Sequence, residues 1–341
     1  MDTPAALATI IAGNDLEFEE AQGLFAAAMA GELGDIRLAA LLTGLAVKGE
    51  TATELAGATA AMRAVSTKVE IDLPYLVDTC GTGGSGQAKL FNISTAAAFV
   101  AAAAGANVAK HGNRAASSKS GSADLLEAAG VNLELSPAQI QRCIKDVGVG
   151  FMFARTHHSA MRHAAAVRGE LGIRTLMNLL GPMTNPAGAP NQLLGVYSAH
   201  WQHKMVAVLK RLGTKRVITV HSAGLDEISI DRPSAIVEMI EGEVREFELA
   251  PEQIGMKRRP IDGLTCDSAV QSLHLVRCSL SDIDSAAADI VAINAGAAIY
   301  IAGISATIGD GVAKARECII NGEALDRFER LAILSQSFVV P

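Results

Sequence analysis

The chain has 341 residues and a formal net charge of −7; half of its residues are hydrophobic and only 4% aromatic. That acidity argues against a general nucleic-acid or membrane-surface binder, which would spread positive charge over a face, and leaves room for a local basic pocket. Cys80, Cys143, Cys266, Cys278 and Cys318 are odd in number and show no CxxC spacing, which argues against a disulfide framework or a cysteine zinc site and for a reduced, cytoplasmic setting.

The first residues, MDTPAALATIIAGND, carry an early acid and no basic start, unlike a signal peptide. From residue 5 to about 66 the apolar residues recur at helical spacing, as in Ala21, Leu24, Phe25 and Met29, then Leu38, Leu41, Leu42 and Leu45. Polar breaks at 13–15, 31–34 and 48–51 divide this stretch into several helices, so residues 1–68 are expected to form a small all-helical domain occupied with packing. Beyond Lys68 the pattern becomes β-prone runs at 75–79, 107–109, 131–135 and 149–153, alternating with helical runs at 95–104, 123–129 and 137–147. Pro137 suits the first turn of its helix. Such alternation predicts a large α/β domain whose mainly parallel central sheet is covered by crossover helices.

Residues 157–190 are again mostly helical, interrupted at Gly181-Pro182 and Asn185-Pro186. They are expected to leave the sheet and return to the N-terminal helices, which makes that domain discontinuous and assigns residues 69–156 and 191–341 to the α/β domain. A strand at 193–197, a helix at 201–212, a strand at 216–221, a loop at 222–227 and a hairpin turning at Glu241-Gly242 follow, and from about Asp267 helices cover the sheet. The longest apolar runs, 96–104 and 290–304, fall short of the roughly 18 residues of a membrane span and read as buried helices.

The chemistry gathers between Asp78 and Ser122. Gly81-Thr82-Gly83-Gly84-Ser85-Gly86 follows a strand, and glycines there let main-chain N–H groups approach an anion while the next helix adds its positive end. The spacing is neither the dinucleotide fingerprint nor a P-loop. Asn92-Ile93-Ser94-Thr95 is expected to cap the alanine-rich helix. Lys110, His111, Asn113, Arg114 and Lys119 gather donors in a loop, and Ser117, Ser118, Ser120, Gly121 and Ser122 lead into a second helix start. Donors of this kind suit phosphate and pyrophosphate oxygens. In the loop VHSAGLDEIS, Asp226 and Glu227 can converge on one hard cation at the C-terminal edge of a parallel strand. His157 and His158 lack the i, i+4 spacing of a helical zinc pair and have no acid close by, and no GxSxG elbow supports covalent hydrolysis. Arg168 and Arg174 could each grip a carboxylate bidentately.

The chain resembles the anthranilate phosphoribosyltransferase family, within the nucleoside phosphorylase/phosphoribosyltransferase superfamily. The resemblance rests on GTGG at 81–84, FNIST at 91–95, VAKHGNRAASSKSGSADLLEAAGVNL at 108–133, VRGELGIRTLMNLLGPMTNPA at 167–187 and GLDEIS at 224–229, and with MAGELGD and VKGET it covers essentially the whole chain. It implies a transferase of tryptophan biosynthesis, dimerised through its helices, that moves phosphoribose from 5-phosphoribosyl 1-pyrophosphate to the amine of anthranilate with Mg²⁺. By resemblance Gly81, Gly84, Asn92, Ser94, Thr95, Lys110, Ser118 and Ser122 hold the donor, Ser94, Asp226 and Glu227 carry Mg²⁺, and Gly81, His111, Asn113, His158 and Arg168 line the acceptor's path. No nucleic-acid or membrane partner is implied, and no catalytic base.

Two departures stand out. Ser85 replaces an aspartate and one extra residue precedes FNIST, so a carboxylate is missing there while Lys89 adds a charge that can face phosphate beside Ser85. Near the acceptor path two prolines become Arg155 and Ser159. These departures keep one alternative open, transfer to another aromatic or heterocyclic acceptor; a further reading, a non-catalytic relative that binds nucleic acid through the same cleft, has the acidic net charge and the intact KHGN and DE motifs against it.

Overall fold

The computed structural model describes residues 2–83, 90–115 and 119–338. Four helices come first: α1 (Thr3–Ile11), α2 (Phe18–Ala30), α3 (Asp35–Lys48) and α4 (Ala52–Ala64). Local chemistry sets their ends. Gly31 closes α2 in the left-handed conformation at φ 78°, and Thr51 and Glu54 exchange side-chain and backbone bonds as a capping box at the start of α4. The fully buried Glu54 also accepts from the Leu16 N–H at 3.0 Å and from Lys48 at 3.0 Å, which ties the loop before α2 to the α3–α4 corner.

The α/β part contains β1 (Leu76–Gly81), α5 (Ile93–Ala103), β2 (Asn107–Gly112), α6 (Ser122–Ala128), α7 (Pro137–Val147) and β3 (Val149–Phe153). Three further helices, α8 (Ala154–His157), α9 (Arg162–Leu171) and α10 (Met177–Met183), lead to β4 (Asn191–Gly195), α11 (Gln202–Arg211) and β5 (Arg216–His221). The hairpin β6 (Ser234–Ile240) and β7 (Glu243–Leu249) and the helices α12 (Ala269–Ser281), α13 (Ala286–Ile301), α14 (Ile308–Ile320) and α15 (Glu323–Ser337) complete the fold. The sheet order is β3-β2-β1-β4-β5-β6-β7. Pairing is parallel from β3 through β5 and antiparallel from β5 to β7, so the expected mainly parallel sheet is borne out.

Strand alternation divides the apolar side chains between two cores. Leu193, Ile218 and Ile236 face α5, α7 and α12 to α15, whereas their neighbours Leu194, Val217 and Val237 share a core with α1 to α4, α9, α10 and α11. Segment 162–183 therefore does pack on the N-terminal helices, and α11 bridges them to the sheet. From Ala287 onward every residue of α13 is buried; no single helix among the described residues is long and apolar enough to cross a membrane.

Two local expectations fail. Residues 131–135 form no strand. Val131, Leu133 and Leu135 are buried in alternation, but the segment joins α6 to α7 and its Asn132 N–H goes to Ser335 Oγ in α15 rather than to a neighbouring strand. Pro182 lies inside the last turn of α10 instead of ending it.

Candidate active site

The chain runs outward from β1 to β2 and β3, then returns to place β4 on the other side of β1, so the crevice beyond β1 and β4 is a topological switch point. A cavity of about 1070 Å³ opens there. It is lined from the C-terminal ends of β1 and β2, the start of α5 and the segments that follow β4 and β5 on one side and from α8, α9 and α10 on the other. Two glycines make the switch point narrow enough: a Cβ on Gly195 would stand 1.8 Å from the Asp226 carbonyl oxygen, and one on Gly81 would stand 2.8 Å from Asp226 Oδ2.

On the α/β wall the polar groups hold one another. Asp226 Oδ2 accepts the Gly83 N–H at 3.1 Å, and Glu227 Oε1 accepts the Ser94 N–H at 3.2 Å. Glu227 thus occupies the positive start of α5. Burial of its carboxyl and the charge of Asp226 push Glu227 up to about 8. Buried Lys110 donates to the Thr79 carbonyl and, at 3.4 Å, to Ser94 Oγ. Burial lowers its pKa, against the opposing pull of Asp78. Thr95 Oγ1 has no partner.

The strand β2 runs three residues beyond its expected end, to Gly112. That extension places Lys110 and His111 on opposite faces, with Lys110 toward α5 and His111 toward the helices. His111 and His158 meet edge to face with ring centroids 5.0 Å apart. Burial drives the His111 pKa well down and that of His158 to about 4, so both are neutral near pH 7. His111 and His158 each reach only a main-chain group of the α10 segment, at Gly181 and Thr184, and His111 Nε2 has no hydrogen-bond partner among the described residues. One face of α9 presents Arg162, Ala165 and Arg168, and α8 presents Arg155. Burial lowers the Arg168 pKa. At the mouth the Arg174 guanidinium lies over the Tyr197 ring at 4.3 Å.

Of the sequence-derived residues, Gly81, Asn92, Ser94, Thr95, Lys110, His111, Asn113, Ser122, His158, Arg168, Asp226 and Glu227 all line this one cavity. Gly84, Ser85, Lys89 and Ser118 lie outside the described residues. Asn92 does not cap α5 with its side chain. Its Oδ1 accepts from Ser120 Oγ and Ser272 Oγ and its Nδ2 donates to the Ser120 carbonyl, tying α5 to the loop before α6 and to α12. Arg114 is paired with Asp124 and Glu127. The second helix start is filled by Asp124, which accepts the Gly121 and Ala115 N–H groups at 2.9 and 2.8 Å. Tyr197, Asn178, Met62 and Met177 line the cavity without having been singled out in the sequence; for Tyr197 its place just past a parallel strand was the available signal.

No group of three or more His, Cys, Asp or Glu among the described residues could enclose a metal. The donor set is nevertheless a fit for a hard cation that keeps its waters: two crowded carboxylates beside the Ser94 hydroxyl, all oxygen, at the edge of a space large enough for phosphate groups.

A helical bundle beside a doubly connected α/β sheet, with the site in the crevice between them, defines a glycosyl transferase of two-part design. Residues 4–66 match the model of the glycosyl transferase family, helical bundle domain, and residues 73–325 that of the glycosyl transferase family, a/b domain. The anthranilate phosphoribosyltransferase of Methylobacillus flagellatus is 50% identical over 339 residues, covering 99% of each chain. That of Thioalkalivibrio sulfidiphilus is 48% identical over 99% of this chain and 100% of its own. The crystal structure of the Thermus thermophilus enzyme superposes with a TM-score of 0.91 at 44% identity over 98% of this chain and 100% of that one. A Saccharomyces cerevisiae relative, solved in complex with PRPP and Mg, shares the fold at a TM-score of 0.89 and 24% identity, with 98% of each chain covered. The chain belongs to the anthranilate phosphoribosyltransferase family.

Proposed function

We propose that this protein transfers the phosphoribosyl group of 5-phosphoribosyl 1-pyrophosphate to the amine of anthranilate, giving N-(5-phosphoribosyl)anthranilate and pyrophosphate in tryptophan biosynthesis. The observation that carries the reading is the single cavity that unites the Ser94, Lys110 and Asp226-Glu227 cluster with the His111, His158 and Arg168 wall. The amine lone pair forms the new bond to C1′ as the C1′–O bond breaks, its electron pair leaving with pyrophosphate; the nitrogen then loses a proton to water. An aryl amine is a neutral nucleophile at pH 7, so the chain needs no strong base, and neutral His111 and His158 suit a flat aromatic guest.

The chain's own part is electrostatic and geometric. Lys110, Ser94, Thr95 and the Gly81–Gly83 backbone hold the donor's anionic end, with Asn92 fixing the start of α5, while Arg168 grips the acceptor carboxylate. Ser94, Asp226 and Glu227 would hold Mg²⁺, which when bound neutralises the leaving pyrophosphate. Residues 1–68 with 157–190 act as the acceptor-side body and 69–156 with 191–341 as the donor-side body; the packing of α9 and α10 on α2 to α4 supports the return of the second segment, and one face of the sheet and α11 join the same core. Incubation with both substrates and Mg²⁺ is expected to quench anthranilate fluorescence and release pyrophosphate; absence of both at millimolar substrate sinks the proposal.

The reading includes a cytoplasmic homodimer. Ile11 on α1 and Ile36 and Val47 on α3 are 82%, 88% and 83% exposed on adjoining helices, an apolar face suited to a second copy. Sedimentation should give a dimer that Ile36→Glu with Val47→Glu splits; a wild-type monomer at micromolar concentration refutes it.

A further inference from the structure

Among the described residues six Lys and Arg side chains line the cavity: Lys110, Arg114, Arg155, Arg162, Arg168 and Arg174. Three are engaged. Arg114 is paired with Asp124 and Glu127, Lys110 donates to Thr79 and Ser94, and Arg174 stacks on Tyr197. Arg155, Arg162 and Arg168 have no carboxylate within salt-bridge distance among the described residues. Among the described residues the carboxylates lining the cavity are Asp226 and Glu227, which belong to the loop after β5 and already receive the Gly83 and Ser94 N–H groups.

A guanidinium takes one carboxylate in a bidentate grip, so an acceptor with one acid group answers Arg168 and leaves the rest of this wall unanswered. Arg155 is the best placed of the remaining two. It comes one helical turn before His158, whose ring packs on His111, and small residues flank it in the lining, Ala154 before it and Ser159 after it. Arg155 therefore lines the same cavity as His158 and Arg168.

We propose that Arg155 is a specificity-determining residue that admits ortho-aminobenzoates carrying a second acidic group, with Arg168 taking one carboxylate and Arg155 the other. This rests on the reading that the acceptor lies along α8 and α9. It adds a substrate class to that site: aromatic amino diacids beside the monoacid.

Calorimetry of the full chain with benzoate, isophthalate and terephthalate, which lack the amine and cannot react, reads the second contact directly. At least one diacid should bind about fivefold tighter than benzoate, the size an exposed guanidinium–carboxylate pair supplies. Arg155→Met should remove that ratio and Arg155→Lys keep part of it. Partial loss of structure would weaken all three ligands alike, so the ratio separates recognition from folding. In the kinetic arm, anthranilates with a carboxylate at ring carbon 4 or 5 should lose about fivefold more kcat/KM than anthranilate in Arg155→Met. Equal binding of benzoate and both diacids to the wild type, or a diacid advantage that survives Arg155→Met, overturns the proposal while anthranilate turnover leaves the functional reading standing. A diacid advantage that depends on Arg155 in a protein that never turns over anthranilate does the reverse.

Discussion

The two walls of the cavity follow opposite rules. On the α/β wall the charged groups are already bonded to one another: Asp226 to the Gly83 N–H, Glu227 to the Ser94 N–H, Lys110 to Thr79 and Ser94, with Thr95 Oγ1 left over. On the helical wall His158 reaches only the Thr184 main chain, His111 Nε2 has no partner among the described residues, and Arg155, Arg162 and Arg168 carry no ion pair among the described residues. The first arrangement fixes dipoles and charges in advance of a reaction, which is what stabilises charge that develops in a transition state. The second leaves buried polar atoms that cost roughly 1–3 kcal/mol each until something bonds to them. One wall is built to do chemistry on a polyanion. The other is built to be completed by a guest.

The largest expected effect tests the first half of that contrast. Asp226→Asn with Glu227→Gln keeps the shapes and hydrogen-bond reach of both side chains but removes the Asp226 charge and the charge that Glu227, held at about 8, takes on when a cation displaces its proton. The rate of pyrophosphate release should fall about 10³-fold, the upper size reported for one preorganised electrostatic element, with thermal stability held because both side chains keep their hydrogen-bond acceptors. A fall of less than tenfold would mean the α/β wall does not carry the chemistry.

The second test falls on the helical wall. Its histidine, His158, is held at about 4 by burial, while an unfolded-state histidine titrates near 6.5. The unfolded chain therefore takes up a proton that the folded chain refuses as pH drops from about 6.5 to about 4, and stability falls over that window by about 3 kcal/mol. Above pH 7 neither state is charged and nothing is lost. His111, shifted in the same direction, adds to the slope. Urea unfolding at pH 7 and pH 4.5 should show the loss, and His158→Gln should flatten it; a slope untouched by that substitution would locate the acid sensitivity elsewhere.

Much of this was legible in the sequence because it is local. Helix spacing, Pro137 at a helix start, the hairpin at Glu241-Gly242 and the Asp226-Glu227 loop after a strand are each set within a few residues. What escaped was set by distant partners. Asn92 reads as a cap, yet Ser272, 180 positions away, takes its side chain. Residues 131–135 read as a strand because their alternation is real, but the alternation answers the helix α15. The two helix starts read as open anion sites, and Glu227 and Asp124 fill them from within the chain. The opposed characters of the two walls depend on which face of β2 each residue takes, and a strand end misplaced by three residues hid that Lys110 and His111 diverge.

The smallest expected effect concerns how the walls are held in relation to each other. Arg174 belongs to the segment between α9 and α10, and Tyr197 follows β4; their stacking at 4.3 Å spans the mouth of the cavity. The Tyr197 N–H donates to Thr82 Oγ1 at 3.0 Å, and the Thr82 N–H donates to the Gly195 carbonyl at 2.9 Å, so the ring is anchored to the glycine loop beside Asp226. An exposed cation–π pair contributes about 0.5–1 kcal/mol, which corresponds to a two- to fivefold effect on an equilibrium that depends on the pair. Tyr197→Leu should therefore raise the acceptor KM about two- to fivefold, Tyr197→Phe should not, and Arg174→Met should match Tyr197→Leu without adding to it in the double variant. Additive losses would mean that the two residues act separately and that the walls are held together by their shared core rather than by this pair.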